Sequence, residues 1–146
     1  MASRSQLETL IDLARRETDD AAKRLGAALK AIEDGGQKLA MLSGYRDDYA
    51  ARFQQTLAGG MTPMAYRNFQ AFLDKLDQAI LGQQEMVRQA RLRGDQEKAI
   101  WQNAERKRMS YTTLADRAQQ EAVRIEAKRD QKAMDEHAAR QAYYKR

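Results

Sequence analysis

Proline occurs once in this 146-residue chain, at position 63, and it closes the only strong break in the sequence, Gly59-Gly60-Met61-Thr62-Pro63. A glycine pair suits a helix C-terminus, where the backbone enters left-handed space. Thr62 is of the type that caps a following helix, and Pro63 fits a first turn, where its missing N–H is not needed. On either side of this break, apolar residues recur at alternating steps of four and three, the spacing of a coiled-coil seam. The series that starts at Leu7 and ends at Thr56 holds 15 positions, of which eleven are apolar with Gly35 left out. The series from Phe69 to Ile125 holds 17, of which thirteen are apolar. Neither series breaks phase, and the positions between are mostly charged. The pattern predicts an all-α fold, two long helices forming an antiparallel coiled-coil hairpin. Helix 1 is expected over about 6–57, the turn over 58–62 and helix 2 over about 63–143, as one elongated domain of residues 1–146.

Composition supports helix over sheet. Charged residues make up 32% of the chain and aromatics only 7%, and Ala, Leu, Glu, Lys, Arg and Gln fill well over half of it, the make-up of long helices. There is no cysteine, which excludes disulfides, thiol catalysis and Cys-ligated metal and fits a cytosolic location. No apolar run reaches the ~18 residues that a membrane span needs. The N-terminus leads directly into a charged periodic segment, without the apolar centre of a signal peptide.

Folding back near residue 60 pairs positions whose numbers add to about 120, so Leu57 lies beside Pro63 and Leu7 near Thr113. Helix 2 then continues alone for roughly 30 residues, about 45 Å at the helical rise. There the seam decays, with Arg129, Lys132 and Glu136 in place of apolar residues. A polar helix without a partner is marginal in water, so this overhang either frays or is completed by another protein. Gly35-Gly36 is expected to cost helix 1 on the order of 1 kcal/mol per glycine and could bend it. Ser110-Tyr111-Thr112-Thr113 is a poor helix-forming run.

Catalytic groupings are not found. The sole histidine, His137, follows Asp135 and Glu136, but successive helix residues point about 100° apart and cannot converge on one ion. The glycines form neither GxxxxGK[ST] nor GxGxxG, and no serine has a histidine at a plausible distance. No catalytic residue, cofactor or metal is expected, and the chain is not expected to be an enzyme.

Charge is uneven. Residues 1–60 carry nine Lys/Arg and nine Asp/Glu, so residues 61–146 hold the whole net charge of +5. Its densest stretch runs from Arg88 to Arg108. Such a stripe can attract nucleic acid, anionic lipid or an acidic protein, or it can be a solvated face balanced by nearby acids. Interleaved acidic residues weigh against nucleic acid. A second feature stands beside the seam: Met41, Leu42, Tyr45 and Tyr49 of helix 1 sit at the heights of Phe72, Leu76 and Ala79 of helix 2, and Tyr45 and Phe72 lie off the seam. Surplus aromatics there either widen the core near the turn or form an exposed apolar patch of the kind that marks a protein contact.

Three stretches carry a resemblance to a known family: Gln37-Lys38-Leu39-Ala40-Met41-Leu42-Ser43-Gly44-Tyr45-Arg46-Asp47-Asp48-Tyr49; Gly60-Met61-Thr62 through Phe69-Gln70-Ala71-Phe72-Leu73-Asp74-Lys75-Leu76; and Arg129-Asp130-Gln131-Lys132-Ala133-Met134-Asp135-Glu136. With the length, they make the chain similar to the FliJ family, soluble components of the bacterial flagellar type III protein export apparatus. The resemblance implies a two-helix rod like the central shaft of rotary ATPase γ subunits. It also implies a stalk that couples the export ATPase ring to the cytoplasmic domain of the export-gate membrane protein, with a link to recycling of export chaperones. Its place would be the cytoplasm, peripherally associated with the membrane at the flagellar base, in flagellum biogenesis and chemotaxis. The family's gate-binding surface maps by position onto Leu42, Tyr45, Tyr49, Phe72, Leu76 and Ala79. Lys38 and Gln83 stand where relatives can have Gln and His. Gln131, Lys132, Met134, Asp135 and Glu136 match a motif in the region that the family turns to the ATPase or chaperones. Direct membrane insertion and nucleic-acid binding are not expected. Other readings of the residues alone are the stalk protein of a virulence type III secretion system, a nucleic-acid-binding coiled coil using the Arg88–Arg108 stripe, and a spacer without a specific partner.

Overall fold

The structure, a computed structural model, describes residues 4–145. It is all-α: helix α1 spans Arg4–Ala58 (55 residues) and helix α2 spans Pro63–Tyr144 (82 residues), packed against each other, with no strand among the described residues. The helix ends fall within two residues of those expected from the heptads.

The break between the helices forms as its residues dictate. Gly59 and Gly60 donate their N–H groups to the carbonyls of Gln55 (3.3 Å) and Leu57 (3.2 Å), which the end of α1 would otherwise leave unpaired. Gly60 has φ of 97°, a conformation that a Cβ would strain. Thr62 Oγ1 then accepts the N–H of Ala65 at 3.1 Å, capping α2 one residue before Pro63.

The chain divides into two compact units, one of residues 20–101 and one that joins residues 4–19 to residues 102–145. In the first unit the helix segments run antiparallel. Arg24 meets Glu97, Gly35 meets Gln83 and Val87, Arg46 meets Asp77, and Tyr49 meets Phe69 and Phe72, all pairs whose numbers add to between 118 and 123. Its seam contains polar residues, and each is dealt with differently. Gln83 is buried and donates its Nε2–H to the Gly35 carbonyl at 3.0 Å. Arg46 donates to Asp77 Oδ1 at 2.9 Å on one flank of the seam. Glu97 is buried with Oε2 at 3.5 Å from Arg24 Nε, yet that oxygen receives no hydrogen bond. An incompletely paired buried carboxylate gains little, since attraction at that distance is set against desolvation.

Helix α1 continues through Gly35 without interruption. The glycine sits on the seam, where a Cβ would lie 3.2 Å from Val87 Cγ2 and 3.6 Å from Gln83 Nε2. The local helix penalty thus permits close approach between backbones. Gly94 serves the same end, because a Cβ there would come within 2.8 Å of Ile32 Cδ1.

In the second unit, Ala14 and Thr18 are buried on the α1 side and Ala104, Arg108, Tyr111 and Ala115 are half-buried on the α2 side. Thr18 turns its hydroxyl to the Ala14 carbonyl (2.8 Å), so this buried hydroxyl is paired within α1. Lys107 reaches Glu17 at 3.4 Å. The Ser110–Thr113 run is helical, with the Ser110, Thr112 and Thr113 hydroxyls donating to the carbonyls four residues earlier at 2.9–3.0 Å. The seam ends in a shallow cavity of about 380 Å³ between Leu7 and Ala115, Ala118 and Ala122. From residue 116 to 145 every residue is exposed.

Candidate interaction surface

On α1 the aromatics Tyr45, Tyr49 and Phe53 stand four residues apart, and on α2 Tyr66, Phe69 and Phe72 stand three apart. Both spacings hold side chains near one face of a helix. Antiparallel packing sets these two rows against each other. Phe53 touches Tyr66 and Phe69, with ring centroids 5.4 and 5.5 Å apart. Tyr49 touches Phe69 at 5.1 Å and Phe72 at 4.5 Å, all tilted arrangements. Such pairs contribute about 0.5–1.5 kcal/mol each beyond the area they bury.

The row ends at the surface. Phe53 is 7% exposed, whereas Phe72 is 45% and Tyr45 57% exposed. Both of these residues immediately precede seam positions, Leu73 and Arg46, and so emerge on one flank. Asp77 follows the seam position Leu76 and emerges on the other flank, where it holds Arg46. Met41 adds a further exposed apolar side chain on α1, Ala79 is exposed on α2, and Leu42, Tyr49 and Leu76 are half-buried beneath. All six positions of the expected gate surface therefore belong to one compact unit and lie between its seam and one flank. Of the two readings open to the sequence, the exposed patch is the one that the geometry supports for Tyr45 and Phe72.

The other expected group is differently built. Gln131, Lys132, Met134, Asp135 and Glu136 are all exposed. Gln131 donates to Asp135 Oδ1 at 3.1 Å, which brings those two together. Five residues drawn from six consecutive helical positions wrap around the helix rather than share one face.

Three of the seven basic residues of the stretch between Arg88 and Arg108 are paired with acids. Arg88 is paired with Glu85, Arg108 with Glu105 and Lys107 with Glu17. Hydrogen bonds from Arg88 and Arg108, aided by their charge, hold the Glu85 and Glu105 carboxyls below the ordinary carboxylate range. His137 is exposed, and among the described residues no three His, Asp or Glu side chains group as a metal site.

The sequence reading missed Phe53, Phe69 and Tyr66 as a group, although the spacings of four and three on facing segments were the signal. It also missed the bond between Gln83 and Gly35, since the pairing of a polar seam residue with a glycine carbonyl depends on register.

An all-α helical hairpin with an aromatic patch near its turn is thus the class that fold and surface define. Comparison with known proteins is consistent with it and goes further. The profile of the family described as Flagellar FliJ protein matches residues 3–146. A Flagellar FliJ protein of Salmonella typhi is 32% identical over 145 residues, 99% of each chain. One of Escherichia coli (strain K12) is 31% identical over 145 residues, again 99% of each. The chain belongs to the FliJ family.

Proposed function

We propose that this chain is a non-enzymatic component of the flagellar type III protein export apparatus. It couples the export ATPase ring to the cytoplasmic domain of the export-gate membrane protein, on the cytoplasmic side of the membrane. The observation that carries the reading is the exposed patch at Tyr45 and Phe72, because it coincides with the surface that the family resemblance assigns to the gate. Its residues suit protein contact: aromatic anchors dominate such interfaces, and a Phe left half open to water regains that cost on binding. Leu42, Tyr49, Leu76 and Ala79 complete this contact. The α2 segment with Gln131, Lys132, Met134, Asp135 and Glu136, whose side chains are all exposed, is the part that meets the ATPase ring or export chaperones. No described helix is long and apolar enough to cross a membrane, so the link to the membrane runs through the gate protein.

The test is a set of purified variants measured both for melting and for affinity to the gate's cytoplasmic domain. Tyr45→Ala and Phe72→Ala are expected to weaken binding by about 1–3 kcal/mol each. Their melting should change little, by about 1 kcal/mol rather than the 3 or more of a buried Phe. Charge reversal at Arg91 and Arg93 should alter affinity much less, and the contact should survive raised salt. A large loss of stability with normal affinity of the folded molecules would refute the assignment.

A further inference from the structure

Phe72 is held from beneath by Tyr49, and the rings packed behind Tyr49 lie outside the assigned gate surface. Six of the ten aromatic residues of the chain fall between positions 45 and 72. Five of them form a continuous row of rings, in the order Tyr66, Phe53, Phe69, Tyr49, Phe72. The shortest contact in the row, 4.5 Å between centroids, is the last one, between Tyr49 and the exposed Phe72. Tyr49 is itself fixed from the other side by Phe69, and Phe69 by Phe53. Phe53 is too deeply buried to touch any partner.

An exposed aromatic side chain on a helix ordinarily samples more than one rotamer, and immobilising it is part of the cost of binding. A ring already packed on Tyr49 has met that cost in the free protein. We infer that Phe69 and Phe53 are positioning residues for the gate contact: they set its affinity through Tyr49 and Phe72 without touching the gate. The inference rests on the gate reading given above, and it deepens that reading by separating residues that bind from residues that prepare the binding.

A double-mutant cycle on the full-length protein tests it, with affinity for the gate's cytoplasmic domain read at a temperature where circular dichroism gives every variant as fully helical. Phe69→Leu keeps an apolar side chain in the seam but removes the ring, and should lower affinity about three- to tenfold. Phe53→Leu, one ring further away, should lower it by less, and Phe69→Tyr, which keeps a ring in place, should bind as the parent does. In a Phe72→Ala background, neither leucine variant should lower affinity further. If Phe69→Leu does not fold, Phe53→Leu carries the same cycle. Parent-like affinity in the leucine variants, or an equal loss with and without Phe72, overturns the inference while leaving the gate reading in place. Parent-like affinity of Phe72→Ala alone overturns the gate reading and this inference with it.

Discussion

Gln83 and Gly35 meet where two amphipathic segments could otherwise pair in more than one register. A heptad seam filled with alanine and leucine is tolerant of sliding, because one apolar layer resembles the next. The Gln83 Nε2–H bond to the Gly35 carbonyl is available in one register only, and beside it a Cβ on Gly35 would press on Val87 Cγ2 at 3.2 Å. A polar seam residue of this kind lowers stability relative to leucine while it specifies alignment. Gln83→Leu is therefore expected to raise the free energy of unfolding by about 1 kcal/mol, since the Gly35 carbonyl retains its own helical hydrogen bond. Gly35→Leu should lower it by about 1–3 kcal/mol, because the added side chain meets Val87 and Gln83. Urea unfolding of the two variants decides the matter. An unchanged midpoint for Gly35→Leu would mean that the two segments are further apart than described.

At the scale of the element, α2 changes character along its length. Through Ala115 its seam positions are buried or half-buried, whereas Ala118, Ala122 and Ile125 continue the pattern in full exposure. What holds helix beyond that point is local: Arg124 is paired with Glu121, and Gln131 with Asp135, at spacings of three and four residues. Such pairs contribute only a few tenths of a kcal/mol each. Backbone amides of residues 119–144 are expected to exchange with solvent far faster than those around Leu73 and Ile80 in the isolated protein, and to become protected once the ATPase or a chaperone is added. Equal protection without a partner would mean that the segment pairs with something already present in solution. Much of this was legible in the sequence, because heptads and the Gly59–Pro63 break depend on neighbours a few residues away. The register was legible only to within a few residues, and Glu97, Gln83 and Arg46 gave no hint of their separate fates, since these depend on what the facing segment presents. The exposed patch was legible as surplus aromatics at Tyr45 and Phe72. The row beneath it was not, because it alternates between two segments and appears only once they are paired.

At the scale of the whole molecule, the proposed role of this FliJ-family member in flagellar export runs through its aromatic flank. Binding and stability of purified variants report on that flank in isolation, whereas export is a property of the living cell. The most direct measurement is the amount of flagellar protein released into the medium by the source bacterium with its own gene deleted and then replaced by a variant. The deletion is expected to reduce release sharply, and the parent gene to restore it. A Tyr45→Ala, Phe72→Ala double variant should be present in the cell at the parent's level yet restore little, while Arg91→Glu restores most of it. Undiminished release from the deletion strain, or full restoration by the double variant, would rule out this role for the aromatic flank.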